Sequence, residues 1–300
     1  MLIDLAKFQM DMLGARGELV LSVLGSNWLA QAAPTAQKAS GVLTLPGLLA
    51  SDKSLLRLNR FLQGLGYQAE SWGLGRNLGP RGRSWGHHLD SLEKQLSDRI
   101  QAMADAHSTP VSLIGQSLGG VYARDLAVRL EPWIDRVIML GSPTFHPYRD
   151  DRHNRVIGHI GEYLSRRSAA DLAGRKGLLH VDASTPAIPF VAVHSPLDGI
   201  VDHRSCRIPD YIVAQSEPQA PRENLQVLST HIGMSVSPWV SLAVADRLAQ
   251  SRSDWRPFDP AGYFPGLLGW LQPLVFPRYT ESQPLDLFHR VESLLQARKA

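Results

Sequence analysis

The sequence predicts an α/β fold, doubly wound on a mostly parallel sheet, and three observations carry this. Six short apolar runs, near Val42, Tyr67, Pro110, Asp135, Pro189 and Glu223, alternate with amphipathic stretches about 10 to 20 residues long, the pattern of strands joined by crossover helices. The runs are continuously apolar, as strands covered on both faces should be. One of them ends in "VSLIGQSLGG", residues 111–120, where a lone hydroxyl stands between glycines at a strand-to-helix turn.

Length and composition suit one such domain, taken here as residues 1–300. A chain of this length buries a full core, and 44% hydrophobic with 20% charged residues is ordinary for a globular protein. The net charge of +3 asks for neither a nucleic acid nor an anionic membrane as partner. Cys206 is the single cysteine, so no internal disulfide and no thiolate metal cluster can form, which fits a reducing compartment. The N-terminal stretch is interrupted by Asp4 and Asp11 and has no basic segment leading into an apolar run and a cleavage site, so no signal peptide is read. No run of about 18 apolar residues suggests a membrane span, and the cytoplasm is the expected location.

Taken in order, residues 1–31 have helical character, with Leu2, Leu5, Phe8, Met12, Leu19 and Val23 at roughly helical spacing. This is read as a helix packed on the domain, with a lipid- or partner-binding helix as the second reading. Val42–Leu45 is a strand followed by a Pro-Gly loop. "SLLRLNRFLQGLG" (54–66) is an amphipathic helix with a glycine stop. A second strand (67–75) runs into a Gly-rich loop, and 85–107 is a long amphipathic helix. The third strand (110–115) feeds a helix over 117–130, and strands follow at 135–143, 189–195 and 223–229. The last helix spans 237–250, with Ser237 as a candidate cap. Residues 144–188 break the alternation and are read as a small helical cap inserted over the site. Residues 255–300 form a C-terminal extension rich in Pro, Gly and aromatics. Pro at that density forbids one long helix, so an apolar strap over the core is expected, with an exposed lipid-facing patch as the alternative.

A serine hydroxyl is a weak nucleophile at neutral pH. It needs a neutral imidazole to take its proton and an acid to orient that imidazole. In a parallel sheet of this kind the three follow in the order serine, acid, histidine, so the partners of Ser117 should stand past later strands. "PFVAVHSPLDGIVD" (189–202) ends a strand and offers Asp198, with Asp202 as competitor on the same loop. Asp198 is favoured because it is nearer the strand end and precedes Gly199. "LQVLSTHIGMS" (225–235) places His231 just past the next strand. His194 and His203 flank the acid too closely and are read as structural. Two N–H donors must face the developing oxyanion. Leu118, after the nucleophile, is one; Leu48, behind the turn at Gly47 in "TLPGLLAS" (44–51), is the other.

"GLGRNLGP" (73–80) reads Gly-X-Gly-X-X-X-Gly, which misses the dinucleotide-binding spacing, and it lacks the Lys of a phosphate-cradling loop. It is read as a rim loop in which Arg76 and Asn77 face substrate. His87 and His88 are adjacent on a helix and diverge, so they do not chelate together. No metal and no cofactor is expected, and Cys206 is read as a buried small residue.

Six blocks in this order, "VLTLPGLLASDKS", "GLGYQAESWGLGRNLGP", "VSLIGQSLGGVYARDLA", "VIMLGSP", "HSPLDGIVDHRSC" and "ENLQVLSTHIGM", resemble bacterial lipase- or esterase-like members of the α/β-hydrolase superfamily over roughly residues 40–258. The resemblance implies Ser117 as nucleophile, Asp198 as acid, His231 as base, and Leu48 and Leu118 as oxyanion donors. The chain departs from it in two places: Pro46 stands where many hydrolases carry a histidine, and Ile232 and Met234 flank the base. The implied activity is esterase- or lipase-like hydrolysis of a small-molecule carboxylic ester, with a hydrophobic acyl group favoured, through a Ser-His-Asp triad and an acyl-enzyme. Thioesterase or acyltransferase chemistry on the same residues, and a non-catalytic binding protein, are the alternatives. A peripheral lipid contact through residues 1–31 and 255–277 is a further reading. Nothing in the sequence fixes the oligomeric state.

Overall fold

The computed structural model describes residues 5–79, 85–143, 187–218, 220–264, 269 and 272–277. The expected cap lies outside these residues but for its last two, as does most of the C-terminal extension. The described strands are β1 (Gly41–Leu45), β2 (Gln68–Ser71), β3 (Val111–Gln116), β4 (Ile134–Leu140), β5 (Phe190–His194) and β6 (Arg222–Gln226). They form one sheet in the order β2-β1-β3-β4-β5-β6, and every pairing is parallel. The chain begins in the middle, runs to one edge and returns past β1 to build the other side. The order therefore reverses between β1 and β3, and the crevice beyond the carboxyl ends of those strands is where such sheets bind ligands.

The helices are α1 (Leu5–Leu24), α2 (Ser26–Ala32), α3 (Leu56–Gly64), α4 (Trp85–His107), α5 (Leu118–Arg129), α6 (Asp210–Val213), α7 (Pro238–Ala249) and α8 (Gln272–Val275). Strand residues alternate between the sheet's two faces. Leu43, Leu45, Leu113, Val137, Met139 and Ala192 meet α4 and α5 on one side. Val42, Ile114, Ile138, Leu140, Val191 and Val193 meet α2, α3 and α7 on the other. α4 contributes Leu89, Leu92, Leu96, Ile100 and Met103, the apolar stripe of an amphipathic helix. Each such side chain is worth about 1.5–3 kcal/mol when fully buried, so both layers are strongly held. Ser237 occupies the N-cap position of α7 without a side-chain capping bond.

The described part of the tail lies on the second core. Phe264 and Phe276 are buried there, and Trp255, Phe258 and Tyr263 pack against it. Glu223 on β6 accepts the Phe258 N–H at 2.7 Å, and the Arg247 guanidinium stands 4.9 Å from the Trp255 ring centroid.

The N-terminal segment differs from the apolar packing its sequence suggests. It is two helices, separated at Gly25. Among the described side chains of α1 the buried positions are Asp11, Ala15 and Ser22, with Glu18 partly buried between them. Met10, Leu13, Val20, Leu21, Val23 and Leu24 are exposed. Over residues 9–24 the helix is inside out, with its carboxylates toward the domain.

Candidate active site

Ser117 sits between β3 and α5 with φ 52° and ψ −124°. A positive φ strains a residue with a side chain by about 1–3 kcal/mol, so the surroundings must impose it. They do so by backbone contact. The Ser117 N–H donates to the Leu140 carbonyl at 2.9 Å, and its own carbonyl accepts from Gly120 N–H at 3.0 Å. A Cβ on Gly115 would stand 2.3 Å from Gly120 Cα, and one on Gly119 would stand 2.2 Å from the Leu45 carbonyl oxygen. Only glycine lets α5 back so closely onto β1 and β3. The turn thus fixes Ser117 at the point where the sheet order reverses.

Asp198 follows β5. Its side chain is fully buried, and Oδ1 accepts the N–H groups of Ile200 at 2.9 Å and Val201 at 2.7 Å. Its Oδ2 lies 2.7 Å from His231 Nδ1. Asp202 instead accepts the Arg204 N–H inside its own turn, so geometry selects Asp198 as the partner of His231. Burial pushes the His231 pKa down, but the charge of Asp198, its hydrogen bond and the charge of Asp11 push it up by more, and the net shift is upward. With Asp198 ionised, Nδ1 carries a proton and Nε2 of the neutral ring is left as the acceptor.

Three features tie these loops to the residues around the serine turn and to each other. Gln116, the residue before the serine, donates its side-chain amide to the His231 carbonyl at 2.8 Å. Gly141 follows the Leu140 whose carbonyl holds Ser117, and a Cβ on it would lie 3.0 Å from Asp198 Oδ2 and 3.1 Å from His231 Nδ1. Ser195 Oγ accepts the N–H groups of Leu197 and Ser229, both at 3.1 Å, and so ties the acid's loop to the base's.

The loop after β1 lies against the serine. A Cβ on Gly47 would stand 3.1 Å from Ser117 Cβ, and Leu118 is the first residue of α5. Asn77 was expected to face substrate. It is buried, donating its side-chain amide to Pro46 O at 2.8 Å while its main chain exchanges bonds with Leu49 and Ala50. It shapes the loop that carries Leu48, where Leu49 takes a φ of 63°. Arg76 supports the same loop through Leu49 O at 3.0 Å.

The remaining titratable groups nearby serve the fold. His194 is buried in β5 and stacked on His203 with centroids 5.9 Å apart. Burial first, then His203 and Arg207, push its pKa down to about 3, so it is neutral at neutral pH. The Cys206 thiol is buried, and desolvation followed by the charges of Asp198 and Asp202 pushes its pKa well up. Among the described residues no group of three or more His, Cys, Asp or Glu side chains is arranged to hold a metal ion. No described helix is long and apolar enough to cross a membrane.

Sequence reasoning missed two residues on α1. Asp11 accepts backbone N–H groups from His231, Ile232 and Gly199, and Glu18 accepts from Thr230 and Ser229. A helix-period pattern offers no sign that a carboxylate will turn inward to meet a loop more than two hundred residues away.

The sheet order, the strained serine turn and the loops bearing Asp198 and His231 make the architecture an α/β-hydrolase fold. No family model and no curated protein matches the sequence. Among solved structures, a soluble variant of monoglyceride lipase from Saccharomyces cerevisiae is similar at 16% identity and TM-score 0.48, over 73% of this chain and 91% of that one. A pyrethroid hydrolase from Sphingobium faniae is similar at 15% identity and TM-score 0.47, over 70% of this chain and 98% of that one. A lipase from Bacillus licheniformis is similar at 14% identity and TM-score 0.45, over 72% and 94%.

Proposed function

We propose that this chain is a serine hydrolase that cleaves a carboxylic ester through an acyl-enzyme. The observation that carries the reading is the 2.7 Å contact of His231 Nδ1 with the buried Asp198, beside a serine held at a φ of 52°. A nucleophile, a base of fixed tautomer and its orienting acid are the minimum set for acyl transfer without a cofactor.

In this reading Ser117 Oγ attacks the ester carbonyl carbon as its proton passes to His231 Nε2. The carbonyl π electrons move to oxygen, and the N–H groups of Leu48 and Leu118 hold the oxyanion. The tetrahedral intermediate collapses, the ester C–O bond breaks, and His231 returns the proton to the departing alkoxide. Water then loses a proton to the same nitrogen and attacks the acyl carbon. The carboxylic acid leaves, and Ser117 regains its proton. Asp198 stays ionised throughout and stabilises the imidazolium. Thioesters and acyl acceptors other than water would use the same steps with a different leaving group or nucleophile.

A lipid surface as the place of action is a second reading, favoured by the exposed Met10, Leu13, Val20 and Leu24 on α1. Co-sedimentation with liposomes, with and without those side chains replaced by Gln, tests it. The main reading is tested with p-nitrophenyl esters of graded acyl length on wild type and Ser117→Ala. Turnover by wild type alone supports it, and no turnover of any ester by folded wild type would turn attention to thioesters, other acyl donors or a binding role.

A further inference from the structure

We propose, on the reading of Ser117 and His231 given above, that α1 is part of the catalytic apparatus, with Asp11 as a positioning residue that clamps the His231 loop onto the Asp198 loop and Glu18 as one that anchors the His231 loop to α1. Asp11 is only 2% exposed. Its Oδ2 accepts the His231 N–H at 2.7 Å and the Gly199 N–H at 3.2 Å, and its Oδ1 accepts the Ile232 N–H at 2.8 Å. One carboxylate thus bridges the residue after the acid, the base itself and the residue after the base. Two turns along the same face, Glu18 Oε1 accepts both the main-chain N–H and the hydroxyl of Thr230 at 2.8 Å, and its other oxygen accepts the Ser229 hydroxyl.

The fit between helix and loop is close. A Cβ on Gly14, which lies between the two carboxylates on the helix, would stand 2.3 Å from Thr230 Cγ2, and one on Gly233 would stand 2.0 Å from Glu18 Oε1. Thr230 cannot turn away freely, because its hydroxyl also accepts the Gly233 N–H at 3.1 Å. The arrangement is unusual for a surface helix, which ordinarily turns its apolar side inward. Here the inward side is Asp11, Ala15, Glu18 and Ser22, and the stripe of Met10, Leu13, Val20 and Leu24 faces out. A helix attached for packing alone would have the opposite pattern. Burying two carboxylates is costly unless each is fully hydrogen-bonded; here Asp11 is spent on main-chain N–H groups of both loops and Glu18 on one main-chain N–H and two hydroxyls of the His231 loop.

Asp11 also acts through charge. The charged and titratable groups facing His231 are Asp198 from the loop after β5 and Asp11 from α1. Glu18 lies against residues 229 and 230, and His203 faces Asp198 from the acid's own loop. Removing the Asp11 charge should lower the pKa of His231.

The test uses the full chain, with Asp11→Asn and Glu18→Gln beside wild type. Two readouts are followed: the second-order rate of Ser117 labelling by a fluorophosphonate across pH, and the low-field proton resonance of His231 Nδ1–H, which needs no substrate. For Asp11→Asn, labelling should slow roughly tenfold to a hundredfold, the cost of a reacting group displaced by about an ångström. Its acid limb should move to lower pH, and the low-field resonance should shift or broaden. Glu18→Gln should slow labelling several-fold with the limb in place. A merely structural α1 would lower the melting temperature but leave rate, limb and resonance of the folded protein as in wild type, and that result overturns the proposal. Should Asp11→Asn not fold, Glu18→Gln is judged in the same way. If wild type itself is not labelled, the hydrolase reading fails, while the resonance still decides whether α1 positions His231.

Discussion

Two helices flank the candidate site, and they hold it in different ways. α5 carries the nucleophile turn and buries ten of its twelve residues. Its glycines let backbone touch backbone, so Ser117 is fixed by packing that no side-chain rotation can undo. α1 lies on the far side of the His231 loop and buries almost no apolar surface through its described side chains. It is tied by carboxylate oxygens to main-chain N–H groups, and Met10, Leu13, Val20 and Leu24 face outward. Packing gives α5 its rigidity, whereas hydrogen bonds and one charge give α1 its leverage over the base. On the proposed reading, the nucleophile is built into the core while its base is held by a peripheral element.

The sharpest way to test this contrast is to remove groups from each side in turn. Ser117→Ala should abolish ester turnover, with kcat falling roughly a millionfold and KM little changed, measured with a p-nitrophenyl ester and a denaturation curve showing an intact fold. Asp198→Asn keeps the shape but favours the wrong tautomer of His231, and should cost on the order of 10⁴ in kcat. Gly119→Ala tests the packing side. Its methyl would meet the Leu45 carbonyl, so urea unfolding should register a loss of about 1–3 kcal/mol or more, and activity should fall with the displaced turn. A Gly119→Ala protein as stable and active as wild type would break the account of α5.

The pH profile is a smaller but more diagnostic effect. His231 must be neutral to accept the serine proton. Its pKa is raised by Asp198 and Asp11 against the effect of burial. The acid limb of kcat/KM should therefore lie above the ordinary histidine value of about 6.5, with activity lost as pH falls through it. The sign for stability is the opposite. The raised pKa favours folding most at low pH, below the unfolded value, and that contribution fades as pH rises through the folded value. The smallest effect is expected on the outward face of α1. Leu13→Gln and Leu24→Gln should change stability by no more than about 0.5 kcal/mol and leave turnover of a soluble ester unchanged. A large loss from either would mean that α1 is held by its apolar face after all.

The contrast also explains what was legible in the sequence. The strands, the serine turn and the positions of Asp198 and His231 could be read because each depends on a local pattern: an apolar run, a glycine that permits a close approach, a loop just past a strand end. Asp198 was separable from Asp202 by its nearness to β5, and the 2.7 Å contact with His231 agrees with that choice. Nothing in "GLGRNLGP" says that the Asn77 side chain satisfies Pro46 O on the neighbouring loop instead of facing substrate. Asp11 and Glu18 were invisible for a stronger reason. All the partners of Asp11 and one of those of Glu18 are main-chain groups, which carry no side-chain signature, and the inward turn of both carboxylates runs against the periodicity by which helices are read.

The central claim, that Ser117 is an activated nucleophile, is tested most directly by intact-mass spectrometry after fluorophosphonate treatment of wild type and Ser117→Ala. The account predicts a single adduct on wild type and none on Ser117→Ala. Folded wild-type protein that takes up no adduct, or an adduct that persists in Ser117→Ala, would contradict it.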